Sequence, residues 1–213
     1  MPILTKPRLL LALVPFIAAC TFSPTDGIMR ERVVNAGGVD ITVAGPQGFC
    51  IDERLVDEAR VGAFIFLSDC AANPGEGPTI ARVPISAVLT ASISNQGLPG
   101  SDESMSAALA QLQSFLETPF GQLTLSKSRN PETLNVLSIT RTDNAVYAFI
   151  QDATPTTRTG ESPRFWRAFT EVNGRLAALS ATGYNAADEE QARVKAILEA
   201  FVAAMQAANT PAS

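Results

Sequence analysis

The chain is read as an α+β domain, an antiparallel β-sheet, largely a meander, covered by helices. Three observations predict this. Asn173-Gly174 sits between two strand-like runs, Arg164–Val172 and Arg175–Gly183, and both residues of the dipeptide accept the positive φ of a type I′ hairpin turn. Those runs and 145–150 carry apolar side chains on both faces, so the middle of the sheet is expected to be covered on both sides. Two other stretches, 101–117 and 186–208, repeat apolar residues at three- and four-residue spacing, as amphipathic helices do.

Taken in order, 30–52 reads as β structure. Val39, Ile41 and Val43 alternate with Asp40 and Thr42, Ala36-Gly37-Gly38 and Gly45-Pro46-Gln47-Gly48 are turns, and Phe49 begins a strand that carries Cys50. The charged stretch 52–60 is either one or two helical turns or an irregular crossing. A buried strand follows at 61–67, with Cys70 just past its end. After the loop 71–78, residues 79–93 read as a strand, and Pro84 inside it implies an edge or a bulge. The helix at 101–117 takes Ser101 as cap and ends before Pro119. Strands are then expected at 122–126, 133–141 and 145–151, a polar loop at 153–163, and the hairpin. A two-residue turn sets Val172 opposite Arg175, Thr170 opposite Ala177, Ala168 opposite Leu179 and Trp166 opposite Ala181. In the last helix Val194, Leu198, Phe201 and Met205 form one stripe, read as core. Asn185 is its expected cap and Glu189–Arg193 an i,i+4 pair.

The first 20 residues, MPILTKPRLLLALVPFIAAC, read differently. Lys6 and Arg8 precede a short apolar run and then small residues, the pattern of a secretory signal peptide. The run is shorter than the roughly 20 apolar residues that span a bilayer, and Pro15 interrupts it. Ile17-Ala18-Ala19-Cys20 resembles the lipobox of bacterial lipoproteins. That resemblance implies that Cys20 becomes the first mature residue and is lipidated. Thr21 in place of Asp resembles lipoproteins sorted to the outer rather than the inner membrane. The expected organisation is therefore a signal peptide at 1–19, a lipidated tether at 20–29 rich in Pro, Gly and small polar residues, and one globular domain at 30–213.

Export changes how the remaining cysteines read. Cys50 and Cys70 are an even pair in an oxidising compartment, most simply a disulfide, with two buried thiols as the alternative. The hydrophobic content of 46% permits a real core. The formal charge of −5 becomes more negative once Lys6 and Arg8 are removed, which leaves only Lys127 and Lys195 as lysines. Such a chain is a poor nucleic-acid binder, and it would reach a membrane through lipid rather than through charge.

Histidine is absent, which removes Ser-His and Cys-His nucleophile systems and histidine metal sites. No catalytic residue, cofactor or metal is expected. Asp52, Glu53, Asp57 and Glu58 offer paired carboxylates for acid–base work, or else a solvated crossing with Arg54 and Arg60 as partners. Ser126-Lys127-Ser128, read as strand, places neighbours on opposite faces and so disfavours a Ser-Lys dyad. Arg158, Arg164 and Arg167 either form an anion site or are scattered surface charges.

The element order, with its Gly48-Phe49 strand, middle helix and hairpin into a terminal helix, looks similar to the PsbP-like fold, named for an extrinsic subunit of photosystem II. The expected function is a non-enzymatic binding or accessory module held at a periplasmic membrane face, with an unknown protein partner. The other readings are a carboxylate-dependent hydrolase or transferase, and a carrier of a lipid or other apolar ligand.

Overall fold

The computed structural model describes residues 29–59, 62–70, 87–102, 104–154 and 160–210. The expected signal peptide, Cys20, nearly all of the tether, the loop 71–78, Pro84 and Arg158 lie outside the described residues.

Two strands, β1 (Glu31–Ala36) and β2 (Val39–Ala44), pair as a separate antiparallel hairpin. The main sheet contains β3 (Phe49–Ile51), β4 (Asp57–Ala59), β5 (Gly62–Asp69) and β6 (Ala87–Ser94). It is completed by β7 (Leu134–Arg141), β8 (Ala145–Asp152), β9 (Arg164–Val172) and β10 (Arg175–Gly183). Its order is β3-β5-β6-β10-β9-β8-β7, with β4 on β5, and every described pairing is antiparallel. The helices are α1 (Met105–Leu116), α2 (Pro119–Leu123) and α3 (Asp188–Ala208). This is the expected α+β class.

The β9–β10 hairpin has the register that a two-residue turn dictates: Val172 opposite Arg175, Thr170 opposite Ala177, Ala168 opposite Leu179 and Trp166 opposite Ala181. Asn173 and Gly174 hold φ of 47° and 70°, which most residues adopt only under strain. Arg175 ties this turn to the β1–β2 turn. It donates from Nε to the Ala36 carbonyl at 2.8 Å and from Nη2 to the Gly37 carbonyl at 3.0 Å.

The sheet has a core on each face. On one face Val194, Leu198, Phe201 and Met205 of α3, with Val34, Ile41 and Val43 of the β1–β2 hairpin, cover Ile65, Leu89, Ala168, Leu179 and Ala181. On the other, Leu109 and Leu116 of α1, with Leu125, cover Val146, Ala148, Ile150 and Phe165. Strands β8 and β9 are thus buried on both sides, as their sequences imply. Trp166, 8% exposed, stacks on Phe149 with centroids 4.6 Å apart.

Several expectations are corrected. Residues 122–126 form no strand. Pro119 ends α1 but also opens α2, where its missing N–H costs nothing, with Thr118 Oγ1 accepting from Gly121 N at 3.0 Å. Gly121 is required there, because a Cβ would lie 1.9 Å from the Phe115 carbonyl oxygen. Ser104, not Ser101, caps α1; the Ser101 hydroxyl instead donates to Glu171 at 2.7 Å. The side chain of Asn185 stops short of α3, accepting from Ala187 N at 2.9 Å, so the helix begins at Asp188 with no side-chain cap. The stretch 52–60 combines a short 3-10 turn, Glu53–Leu55, with β4.

Cys50 and Cys70 are disulfide-bonded across the β3–β5 pair, the simpler of the two readings. With a sequence separation of 20, the closed loop stabilises the fold by about 3 kcal/mol in the chain-entropy account. Intact mass after alkylation of unfolded protein is expected to show no label on Cys50 or Cys70 without reductant and one on each with it. Labelling of both without reductant would refute the bond.

Candidate functional site

The four carboxylates offered by 52–58 do not gather into a catalytic pair. Asp52 is engaged by Arg54, whose Nε and Nη2 reach its two oxygens at 2.9 and 2.7 Å. The Arg54 side-chain hydrogen bonds hold the Asp52 carboxyl below its usual range, against desolvation. Glu53 and Glu58 both bind Arg32, the latter at 2.9 Å; Arg60, one of the expected partners, lies outside the described residues. Asp57 lines a groove.

Of the three arginines offered as an anion site, Arg164 and Arg167 do not come together; Arg158 lies outside the described residues. Arg164 and Arg167 lie three residues apart in β9, so their side chains leave opposite faces. Arg164 turns to the α3 side, where it meets Asp188 at 3.2 Å and Gln151 at 3.2 Å. Arg167 turns to the α1 side, between Phe165 and Phe169.

That face is the structure's candidate site. Strand register aligns its side chains in rows. One row runs Phe64, Ser92, Ala178, Phe169 and Val146; the next runs Phe66, Thr90, Ser180, Arg167 and Ala148; a third holds Val88, Thr182, Phe165 and Ile150. Helix α1 packs over β7 and β8. Among the described residues no helix covers the β5–β6–β10 half; Phe66, Val88 and Thr182 there are nonetheless buried, and the row that holds Ser92, exposed, and Phe64, 39% exposed, is the open part. An open groove of about 330 Å³ lies there, lined by Asp57, Phe64, Ser92, Ser94, Leu176 and Ala178 among others.

Arg167 stands one row from the open row of this face. It is half-buried, with Nε donating to Ser180 Oγ at 3.1 Å and Nη1 to the Leu125 carbonyl at 3.4 Å. Its guanidinium lies 5.5 Å from the Phe165 ring centroid, and Lys127 Nζ lies 4.8 Å from the same ring. Burial pulls the Arg167 pKa down, and the negative charge of Asp152 opposes this.

Asp152 organises this corner. It is 1% exposed and accepts four hydrogen bonds: from Ser126 Oγ at 3.0 Å, Lys127 N at 2.7 Å, Thr154 N at 2.9 Å and Thr154 Oγ1 at 2.6 Å. Ser126-Lys127-Ser128 is therefore a turn wrapped on a carboxylate, not the strand read from sequence. Desolvation pushes the Asp152 carboxyl up, but the Thr154, Lys127 and Ser126 donors outweigh it and bring it from 3.8 down to about 2. A folded-state pKa below the unfolded one stabilises the fold above about pH 4. That contribution, about 2 kcal/mol, is lost as pH falls through 2. Urea midpoints of wild type and Asp152→Asn are thus expected to differ at pH 6 and to converge toward pH 2. A gap independent of pH would refute this.

Among the described residues no cluster of three or more acidic, cysteine or histidine side chains is placed to hold a metal, and no helix is long and apolar enough to cross a membrane.

No family model and no curated protein matches the sequence. Two solved structures are similar at 11% identity, each over 84% of this chain and 90% of that chain. They are a point mutant of the protein Mog1, with a TM-score of 0.35, and the Saccharomyces cerevisiae Ran-binding protein Mog1p, with a TM-score of 0.36. Likenesses this slight carry nothing about the partners of this chain.

Proposed function

We propose that the chain is an exported lipoprotein, anchored through acylated Cys20 at the periplasmic face of the cell envelope, at the outer membrane rather than the inner. We further propose that its domain works there as a binding or accessory module. The observation that carries this reading is the lipobox register, Ile17-Ala18-Ala19-Cys20, closing a short apolar run that follows Lys6 and Arg8. A disulfide between Cys50 and Cys70 is in keeping with an oxidising compartment. The binding role draws support from the half-open sheet face. The enzymatic alternative needs two carboxylates brought together in a deep cleft, whereas Asp52, Glu53 and Glu58 are held by Arg54 and Arg32. A carrier of wholly apolar ligands needs an enclosed dry cavity, whereas the groove beside Phe64 is open and has Ser92, Ser94 and Asp57 in its lining. The finer fold reading, a PsbP-like domain, is part of the proposal and rests on the Gly48-Phe49 strand, the middle helix and the hairpin leading into α3.

Growth of the expressing bacterium with an alkyne fatty acid tests the anchor. The wild-type chain is expected to take up label and to sediment with membranes. An unlabelled, soluble wild-type chain would sink the proposal.

A further inference from the structure

The groove beside Phe64 owes its shape to small residues. Its floor lies in two rows. Ser92 and Ala178 follow Phe64 across the sheet, and Gly62 and Ser94 pair with each other one row away. Phe64 and Leu176 are its large apolar side chains. Gly62 is required for a backbone reason: its φ is 143°, and a Cβ there would lie 2.1 Å from the Ile93 carbonyl oxygen. The depression is thus fixed by the strand pairing, and its volume of about 330 Å³ falls at the small end of ligand sites.

Its charge is one-sided. Asp57 stands opposite Phe64 in the β4–β5 register, so a carboxylate flanks the exposed ring. Among the described residues Asp57 has no ion pair and no hydrogen-bond partner for its side chain. The arginines nearby are engaged elsewhere, Arg32 by Glu53 and Glu58 and Arg54 by Asp52. At the other end Glu171 stands opposite Leu176. It accepts from neutral donors, the Leu98 amide and the Ser101 hydroxyl, each at 2.7 Å, so its charge is not cancelled. No Lys or Arg is among the described residues that line the groove. An apolar depression bounded by uncompensated carboxylates repels anions and favours a cation with an apolar body. The ring of Phe64 adds to this, because the face of an aromatic ring also attracts a cation.

We infer that this groove binds a small primary ammonium with an apolar tail, free in solution, its head between Asp57 and the Phe64 ring and its tail over Ala178 and Leu176. The head offers three N–H donors, which the carboxylate of Asp57 and the hydroxyl of Ser92 accept. The inference rests on the binding-module reading, to which it gives a ligand class, and is independent of the lipid anchor.

The test is a titration of the purified full chain with ethylammonium, butylammonium, 1-butanol, butyrate and glycerophosphocholine, at neutral pH and low salt. The readouts are the carboxyl 13C resonance of Asp57, the ring resonances of Phe64, and calorimetry. Butylammonium is expected to shift both residues saturably. It should bind severalfold tighter than butanol, the contribution of an exposed charge pair and ring, and up to about tenfold tighter than ethylammonium, the contribution of two methylenes. Butyrate should cause no saturable shift. Asp57→Asn is expected to lower butylammonium to the level of butanol, and Phe64→Ala to weaken both. Absence of a saturable shift with butylammonium would overturn the inference. So would unchanged affinity in Asp57→Asn, whose exposed, unpaired side chain leaves the fold intact even if Phe64→Ala does not fold. Tighter binding of glycerophosphocholine than of butylammonium would also overturn it, in favour of a lipid headgroup. If butylammonium fails while only the membrane-anchored form rescues a deletion phenotype, the ligand falls and the module reading stands. Saturable binding by a chain that the soluble form replaces fully does the reverse.

Discussion

Phe201→Ala is expected to destabilise the domain by about 3–5 kcal/mol, a large part of the stability of a typical domain. Phe201 is fully buried on α3, in the same stripe as Val194, Leu198 and Met205. The helix packs on β9, β10 and β2, so this one ring touches the layer where the terminal helix, the central hairpin and the β1–β2 hairpin meet. Truncation removes a large apolar side chain from water-free surroundings and leaves a cavity that three elements must collapse together to fill. The contrast is Phe120→Ala. Phe120 lies in α2 but is 71% exposed and meets Phe115 edge-on at 6.1 Å, so its loss is expected to shift stability by less than about 1 kcal/mol. Urea denaturation of both variants checks the pair. Equal and small changes would mean that the α3 stripe is not the core.

That stripe was legible because a helix of 21 residues repeats its signal many times. The β9–β10 register was legible for another reason: Asn173-Gly174 allows one turn, and a two-residue turn fixes every pair that follows. Short elements carried too little signal. The stretch 122–126 holds a few apolar residues that suit either state, and the deciding cue was local, Thr118 before Pro119, the signature of a helix start rather than only of a stop. Cap placement failed in the same way. Ser101 and Ser104 are three residues apart, and which one caps α1 depends on Glu171, seventy residues later, taking the Ser101 hydroxyl.

The half-open face was partly readable. Parity alone separates Arg164 from Arg167 in a strand and puts Arg167 with Phe165 and Phe169. Grouping the arginines by nearness in sequence hid this. Nothing local announced Asp152 as the acceptor for Ser126 and Lys127, because that clamp joins a turn to the end of a strand about 25 residues away. The carboxylates of 52–58 show the converse error. Their sequence proximity suggested a catalytic pair, but Glu53 and Glu58 are both engaged by one guanidinium, that of Arg32 from β1, and Asp52 by Arg54.

Cys20→Ala, exported through a cleavable signal, is expected to yield a folded, soluble periplasmic domain. In lipoproteins of the kind this N-terminus resembles, the cysteine carries more than one acyl chain. A single chain binds a membrane marginally, whereas two hold it stably. The charge is negative, and among the described residues no helix is apolar or long enough to span a bilayer. The core residues lie beyond residue 30, so thermal unfolding of the released domain should match that of the anchored form. Function should not match. On the accessory-module proposal, tethering would confine the domain to the layer of a membrane-bound partner and raise the effective concentration of one for the other, by factors of about 10² or more. A deletion phenotype should therefore be rescued by the anchored form and poorly by the soluble form at equal abundance. An enzyme acting on a freely diffusing substrate would lose far less on release, since its encounters do not depend on confinement. Equal rescue by both forms would count against the accessory module and in favour of the enzyme, even with Cys20 fully acylated in the wild-type chain.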